Sequence, residues 1–274
     1  MKIISWITDP HFNFISDKKM KLFISQQILG ESKSFLEETF KRPDFLLVGG
    51  DIGEASNVIH YLKLLADTNI QIMFVTGNHS YYGSSYERVH NRIGKAASEV
   101  SNLIWLDKES VIELTPNVGL IGHSSWADCR EGDWDGSNVD LNDYHYITDF
   151  ASLCRSDIKK VMQKWADKAA NHIQKNLIIA FNKYETVYML THVPPWKEAS
   201  VYDGKISDDM WAPHFVCKIM GETIEKFMKT CNGKLIVLCG HSHGKSFFKP
   251  LPNIDVYTGE AKYGNPKINI VFEI

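Results

Sequence analysis

The chain has 274 residues, of which 44% are hydrophobic and 23% charged, as in a globular protein that buries a substantial core. Its net charge of −3 excludes a general electrostatic attraction to nucleic acid or to an anionic membrane surface. The five cysteines are odd in number and form no C-x-x-C pair, which indicates neither a disulfide framework nor a cysteine zinc site.

The first predicted element is a short strand, Lys2–Thr8, which reaches a polar motif within ten residues of the N-terminus. A signal peptide needs a longer apolar region and a small-residue cleavage site. No later segment approaches the roughly eighteen apolar residues of a membrane-spanning helix. We therefore expect a cytoplasmic protein that does not associate with membranes.

Strand-length apolar runs and helix-length amphipathic segments alternate along the chain. The predicted strands are, in chain order, Lys2–Thr8, Phe45–Val48, Gln71–Thr76, Val111–Leu114, Val118–Gly122, Thr186–Thr191, Leu235–Cys239, Ile254–Tyr257 and Lys267–Glu273. The predicted helices are Lys18–Phe40, Ala55–Asp67, Ser84–Val100, Asp149–Phe181 and Pro213–Thr230. This alternation predicts an α/β fold. The aperiodic segment 124–149, rich in Trp, Asp, Gly and Asn, is expected to be a loop-rich insertion in a single domain of residues 1–274.

Five polar motifs follow predicted strands at their carboxyl ends. They are Asp9-Pro10-His11, Gly49-Gly50-Asp51, Gly77-Asn78-His79, Thr191-His192 and Gly240-His241-Ser242-His243. One such residue after a strand is usually a turn or capping residue, but packing does not explain five motifs in series. Groups at the carboxyl ends of strands converge on one crevice. Carboxylate, imidazole and amide donors suit first-row metal ions, and the lack of cysteine argues against a thiolate zinc site.

The ordered set of motifs resembles the calcineurin-like metallophosphoesterase superfamily, whose pattern is D-x-H, G-D, G-N-H, H and G-H-x-H. This resemblance implies a four-layer α/β/β/α sandwich, in which two mixed sheets are flanked by helices. It also implies a dinuclear metal centre. One metal would be held by Asp9, His11, Asp51 and His243, and the second by Asp51, Asn78, His192 and His241, with Asp51 bridging the two. Segments around 77–83, 126–128 and 141–144 further resemble a bacterial-type subgroup of predicted phosphohydrolases, whose substrates vary.

The resemblance implies hydrolysis of a phosphate monoester or diester by metal-activated hydroxide. Asp51 and His79 would be the catalytic residues, with His79 assisting the leaving group as general acid or electrostatic stabiliser. Two divalent or trivalent metal ions are expected, with manganese favoured and iron or zinc as alternatives. A small phosphorylated substrate or nucleotide is the expected partner, nucleic acid is disfavoured, and the oligomeric state stays open.

Ser80 departs from the pattern of the superfamily, in which an acid commonly follows the histidine of the G-N-H motif. A hydroxyl stabilises an imidazolium less well than a carboxylate does. Glu54 and Asp128 are candidates for an acid that replaces it.

Other functions are compatible with the same pattern. One alternative is a metal-binding interaction module with weak catalysis. Such a module would be expected to lose some metal ligands, whereas this sequence has a suitable residue at all seven ligand positions and retains His79. A nuclease would be expected to carry a basic stripe or an added DNA-binding module. A metallo-β-lactamase-type enzyme would be expected to contain an H-x-H-x-D-H run early in the chain. The sequence has none of these features.

Overall fold

The computed structural model describes residues 1–30 and 42–274. Its strands are β1 (Ile3–Ile7), β2 (Phe45–Gly49), β3 (Gln71–Val75), β4 (Leu103–Trp105), β5 (Ile112–Thr115), β6 (Val118–His123), β7 (Thr186–Thr191), β8 (Val201–Tyr202), β9 (Lys205–Ile206), β10 (Lys234–Cys239), β11 (Ser246–Phe248), β12 (Ile254–Thr258) and β13 (Ile270–Glu273). Its α-helices are α1 (Asp17–Phe23), α2 (Val58–Ala66), α3 (Tyr86–Glu99), α4 (Asp143–Tyr146), α5 (Arg155–Phe181), α6 (Ala212–Phe215) and α7 (Lys218–Met228).

Two mixed sheets contain most of these strands. The first has the order β13-β1-β2-β3-β4, with β1 to β4 parallel and β13 antiparallel at one edge. The second has the order β11-β12-β10-β7-β6-β5, with four central parallel strands and an antiparallel strand at each edge. Strands β8 and β9 form a separate small hairpin. The parallel arrangement brings the polar motifs to one end of each sheet, because they follow the carboxyl ends of parallel strands.

The two sheets pack face to face, with helices on their outer faces. Between the sheets lies an apolar cluster that includes Trp6 and Leu47 of the first sheet and Leu120 and Leu190 of the second. The outer side chains of both sheets pack with the helices in the larger core cluster. This arrangement confirms the predicted α/β/β/α fold class. It also explains the near-continuous apolar runs in the sequence, because the central strands are buried on both faces.

Each predicted strand has a counterpart in the structure, although the last begins at Ile270 rather than Lys267. Strands β4 and β11 and the β8–β9 hairpin were not predicted from the sequence. These strands have two or three residues each, too few for a periodic pattern to show.

Two predicted helices have different bounds for identifiable reasons. The helix predicted over Asp149–Phe181 begins only at Arg155, after Cys154 in an extended conformation. The Asp149 carboxylate instead accepts a hydrogen bond at 2.7 Å from the backbone N–H of Tyr86, at the start of α3. The helix predicted over Pro213–Thr230 is divided into α6 and α7. Val216 between them is extended, and the Asp128 carboxylate accepts from the N–H of Ile219 at 2.8 Å, at the start of α7.

The helix predicted over Lys18–Phe40 begins at Asp17, where the Ser16 hydroxyl caps its first turn. It continues as the π-helical turn Ile24–Ile28, and the part of the prediction over residues 31–40 lies outside the described residues. Segment 124–149 carries α4 and otherwise irregular backbone. Among the helices that the structure describes, none is long and apolar enough to cross a membrane.

Candidate metal centre

The seven predicted ligands converge at the end of the sandwich where the parallel strands of both sheets terminate. They follow β1, β2, β3, β7 and β10, in the order Asp9, His11, Asp51, Asn78, His192, His241 and His243. His243 is half-buried and the other six are buried. Buried polar groups of this kind are costly unless they are paired or bind an ion.

The first group consists of Asp9, His11, Asp51 and His243, whose donor atoms all lie within 4.8 Å of one another. Nε2 of His11 lies 3.1 Å from Nε2 of His243, and the latter nitrogen lies 3.5 Å from Oδ1 of Asp9. Two donors on one first-row metal are about 3.0–3.4 Å apart when each metal–ligand distance is about 2.1 Å. The donor set and its spacing therefore fit a metal ion.

The second group surrounds the other side of Asp51. Nε2 of His192 lies 3.1 Å from Oδ1 of Asn78 and 3.6 Å from Oδ2 of Asp51. The same carboxylate oxygen lies 3.7 Å from Nε2 of His11 in the first group. The His241 ring completes this side, with its centroid 4.9 Å from that of His192. One oxygen of Asp51 thus faces both groups.

Hydrogen bonds to backbone carbonyls orient two of the imidazoles. Nδ1 of His192 donates to the carbonyl of Gly49 at 2.9 Å, which leaves Nε2 free to face Asn78. Nε2 of His241 donates to the carbonyl of His214 at 3.4 Å, which leaves Nδ1 as its available nitrogen. Such outer hydrogen bonds fix the tautomer and ring orientation of histidines that bind metals.

The protonation states of Asp9, Asp51, His11 and His241 also suit metal binding. Burial lowers the pKa of His11 to about 4 and that of His241 to about 3, so both imidazoles are neutral at physiological pH. Burial alone would raise the pKa of Asp9 and of Asp51, but the imidazoles around them lower both pKa values below the ordinary range. Neutral imidazoles and ionised carboxylates are the forms that bind metals.

The backbone around the ligands is crowded. A Cβ atom on Gly77 would collide with the carboxylate of Asp51, and one on Gly240 would collide with the carboxylate of Asp9. Glycine at these two positions lets the strand-end loops approach the acidic side chains.

His79 lies beside the groups without joining either of them. Its Nε2 is 3.8 Å from Oδ2 of Asp51, and its ring stacks on Tyr82 with centroids 4.3 Å apart. Nδ1 of His79 and the hydroxyl of Ser80 are buried and have no hydrogen-bond partner among the described residues. Ser80 therefore does not orient the His79 ring through a hydrogen bond.

Neither suggested acid takes the missing place beside His79. Glu54 accepts a hydrogen bond from Asn13 at 3.2 Å. Asp128 binds Arg130 at 3.2 Å and caps α7 at Ile219. The His79 ring is instead restrained by the stacked ring of Tyr82 and by the edge-on ring of His11, whose centroid lies 4.6 Å away.

Asp143 is a site residue that the sequence places only within the loop-rich segment 124–149. Its buried Oδ1 accepts hydrogen bonds from Nδ2 of Asn78 at 2.8 Å and from the hydroxyl of Tyr82 at 2.6 Å. The first bond turns Oδ1 of Asn78 toward His192, and the second fixes the ring on which His79 stacks. No motif around Asp143 indicates this double contact, which depends on α4 packing against the 78–81 turn.

A model of the calcineurin-like phosphoesterase family matches residues 4–245, a span that contains all five motifs. The chain belongs to this family. Membership makes the protein a metal-dependent phosphoesterase, a class of hydrolase that binds two divalent metals.

Solved structures with the same fold agree with this assignment. A dimetal phosphatase from Danio rerio, LOC 393393, superposes with a TM-score of 0.54 at 11% identity, over 94% of this chain and 87% of its own. The protein TT1561 of Thermus thermophilus superposes with a TM-score of 0.54 at 11% identity, over 94% of this chain and 89% of its own. At these identities the likeness is one of fold. No curated protein matches the sequence.

Aromatic side chains surround the metal centre of this calcineurin-like phosphoesterase unevenly. Trp126, Trp134 and Trp196 are buried and anchor their loops. Trp211 is 47% exposed and faces the groove beside the centre. Tyr263, which no motif marks, lies with its ring centroid 4.5 Å from that of His11.

Proposed function

We propose that this protein hydrolyses small phosphate monoesters or diesters at a dinuclear centre. Asp9, His11, Asp51 and His243 would hold one metal, and Asp51, Asn78, His192 and His241 the second. The observation that carries the proposal is the position of Oδ2 of Asp51, 3.7 Å from Nε2 of His11 and 3.6 Å from Nε2 of His192. A carboxylate shared by two sets of donors is the arrangement that allows two cations to sit about 3.5–4 Å apart.

When bound, the metals supply Lewis-acid polarisation of the phosphoryl group and activation of water at neutral pH. In this proposal, His79 assists the departure of the leaving group. Its Nε2 faces the centre and its side chain is 14% exposed, so it is open to substrate from the groove side. The protonated ring would donate its proton to the departing oxygen or stabilise the charge that develops there.

Manganese is the metal proposed first, with iron or zinc as alternatives, because carboxylate, imidazole and amide oxygen donors without a thiolate suit all three metals. A small phosphorylated metabolite or a nucleotide is the proposed substrate class. The net charge of −3 weighs against nucleic acid.

The proposal is tested by stripping the purified protein with a chelator, reloading it with manganese, iron or zinc, and assaying a panel of monoesters, diesters and nucleotides. We expect two metals per chain and turnover only in the loaded protein. Asp51→Asn should lower both the metal stoichiometry and the turnover, whereas Asp140→Asn, at an exposed acid of segment 124–149, should change neither. Full occupancy without hydrolysis of any ester would contradict the proposal.

A further inference from the structure

A groove of about 570 Å³ opens beside the metal centre and extends well beyond it. Its inner end is lined by Asp51, Asn78 and His79, and its outer part by the β8–β9 hairpin and the segment around α6. Pockets for drug-sized ligands typically have volumes of about 300–1,000 Å³. The groove therefore has room for an organic group attached to the phosphate.

Large apolar side chains line the outer part of the groove. Tyr202 is 70% exposed, Ile206 is 53% exposed and Trp211 is 47% exposed. Phe215 lies deeper, stacked on the ligand His241 with ring centroids 4.6 Å apart. Apolar groups concentrated at the mouth of a catalytic groove commonly mark a binding site, because leaving them in water is unfavourable.

The hairpin is fixed to the metal-binding loop itself. The backbone N–H of Val201 donates to the hydroxyl of Ser242 at 3.1 Å, and the N–H of Gly244 donates to the carbonyl of Val201 at 2.8 Å. Asp203 and Gly204 have φ values of 49° and 72°, which fit a tight two-residue hairpin turn. The position of the hairpin backbone relative to the centre is thus set by a short, hydrogen-bonded connection.

The charges of the groove limit what the organic group can be. Among the described residues that line its outer part, Lys205 and Asp208 are the charged ones, and their charges are opposite. This part consequently has no excess positive charge for a second phosphate. A neutral group that stacks on aromatic rings fits it better.

We infer that the β8–β9 hairpin and Trp211 form a subsite for a planar, uncharged aromatic group of the substrate. The inference deepens the proposed function, since it rests on a phosphate ester bound at the dinuclear centre. Tyr202 and Trp211 are specificity-determining residues in this scheme. The favoured substrates are monophosphate esters with one aromatic ring system, such as a nucleoside or benzyl group.

The test uses manganese-loaded protein and two non-hydrolysable probes of similar size, benzylphosphonate and cyclohexylmethylphosphonate, with affinities measured by calorimetry. Stacking should make the wild-type protein bind the benzyl probe about tenfold more tightly than the saturated one. Trp211→Ala and Tyr202→Ala should each reduce this ratio severalfold, and Trp211→Phe should retain most of it. Phe247→Ala, at a residue on β11 that is 52% exposed and outside the groove, should leave the ratio unchanged.

Hydrolysis of adenosine 5′-monophosphate and of ribose 5-phosphate provides the second readout, because both release a primary alkoxide and only the first carries an aromatic base. We expect kcat/KM to favour the nucleotide and Trp211→Ala to remove that preference. Equal binding of the two phosphonates by the wild-type protein, or a preference that survives both alanine variants, overturns the inference. A protein that binds the benzyl probe selectively but hydrolyses no ester would retain the subsite and overturn only the proposed function.

Discussion

Most of the candidate ligands adopt a backbone conformation that non-glycine residues rarely take. Five of the seven have φ values between 43° and 67°; these are Asp9, His11, Asp51, His241 and His243. Each left-handed residue costs about 1–2 kcal/mol. Hydrogen bonds hold some of them in place, such as those from the N–H of His11 to the carbonyl of Asp51 at 2.9 Å and from the N–H of His241 to Asp9 at 3.0 Å. The fold thus holds the backbone of these residues in place through its own hydrogen bonds.

His79 is the residue whose replacement should separate chemistry from metal binding. We expect His79→Asn to lower kcat by about 10²–10⁴-fold, because the leaving group would lose its proton donor. The metal content should stay at the wild-type value, since both groups of proposed ligands exclude His79. Steady-state kinetics together with elemental analysis of the purified variant check both statements.

Loss of metal in His79→Asn would show that this residue is a ligand and would contradict its assignment to the leaving group. His60→Asn, at a histidine whose side chain is 52% exposed on α2, is the matched control and should change neither quantity.

At the scale of elements, hydrogen-bond networks fix the loops that carry the candidate ligands. The hydroxyl of Ser124, after β6, accepts from the N–H of Thr76 at 2.7 Å and donates to the carboxylate of Asp107 at 2.8 Å. This contact connects the end of β3 in the first sheet to β6 in the second. On the other side of the same turn, α4 supplies Asp143, which binds Asn78 and Tyr82.

Asp143→Ala should weaken metal binding at the second site by about 10–100-fold, the usual effect of losing a group that orients a metal ligand. The amide of Asn78 would no longer be held toward His192. Turnover should therefore need more manganese to reach its maximum, and the maximum itself should fall less than the affinity does. Titration of the chelator-treated variant with manganese, followed by activity and calorimetry, measures both effects.

Asp140→Ala provides the matched control, since Asp140 precedes α4 by three residues and its side chain is 67% exposed. A manganese titration of Asp143→Ala that superposes on the wild-type curve would mean that Asp143 only supports the loop.

At the scale of the whole molecule, the packing of two sheets and their helices buries several histidines, both at the strand ends and elsewhere in the fold. Burial lowers the pKa of His11, His90 and His214 to about 4 and that of His241 to about 3. Their pKa in an unfolded chain is about 6.5. Between these values the unfolded chain binds more protons than the folded protein, so the free energy of unfolding rises with pH.

The metal-free protein should therefore lose stability as the pH falls from about 6.5 toward 4. In this range the imidazoles are protonated in the unfolded chain but stay neutral in the folded protein. The stabilisation is complete above pH 6.5. Thermal denaturation in the presence of chelator, at several pH values across this window, checks the slope.

His90→Gln should reduce the slope of stability against pH, since His90 lies on α3 outside the metal centre and would no longer contribute. His60→Gln, at an exposed histidine, serves as the comparison. A melting temperature that is constant from pH 4.5 to 6.5 in the wild-type protein would contradict the assignment of neutral buried histidines.

The sequence by itself determined the fold class, the order of the long strands and the family. These depend on local patterns that the printed chain contains, namely apolar runs buried on both faces and short motifs at fixed places after them. Gly77-Asn78-His79 and Gly240-His241-Ser242-His243 could be recognised because the chemistry needs those side chains together on one turn.

Only the tertiary structure decided what surrounds the motifs. Asn78 is bound by Asp143 of α4, and the ring of His79 stacks on that of Tyr82. One wall of the groove is the β8–β9 hairpin, whose strands have two residues each and are too short to show a periodic pattern in the sequence. Asp128 illustrates the reason: its sequence position allows a role beside His79, but the packing of α7 places it at Ile219 instead. Contacts between residues distant in the chain depend on how the layers dock, and no local periodicity contains that information.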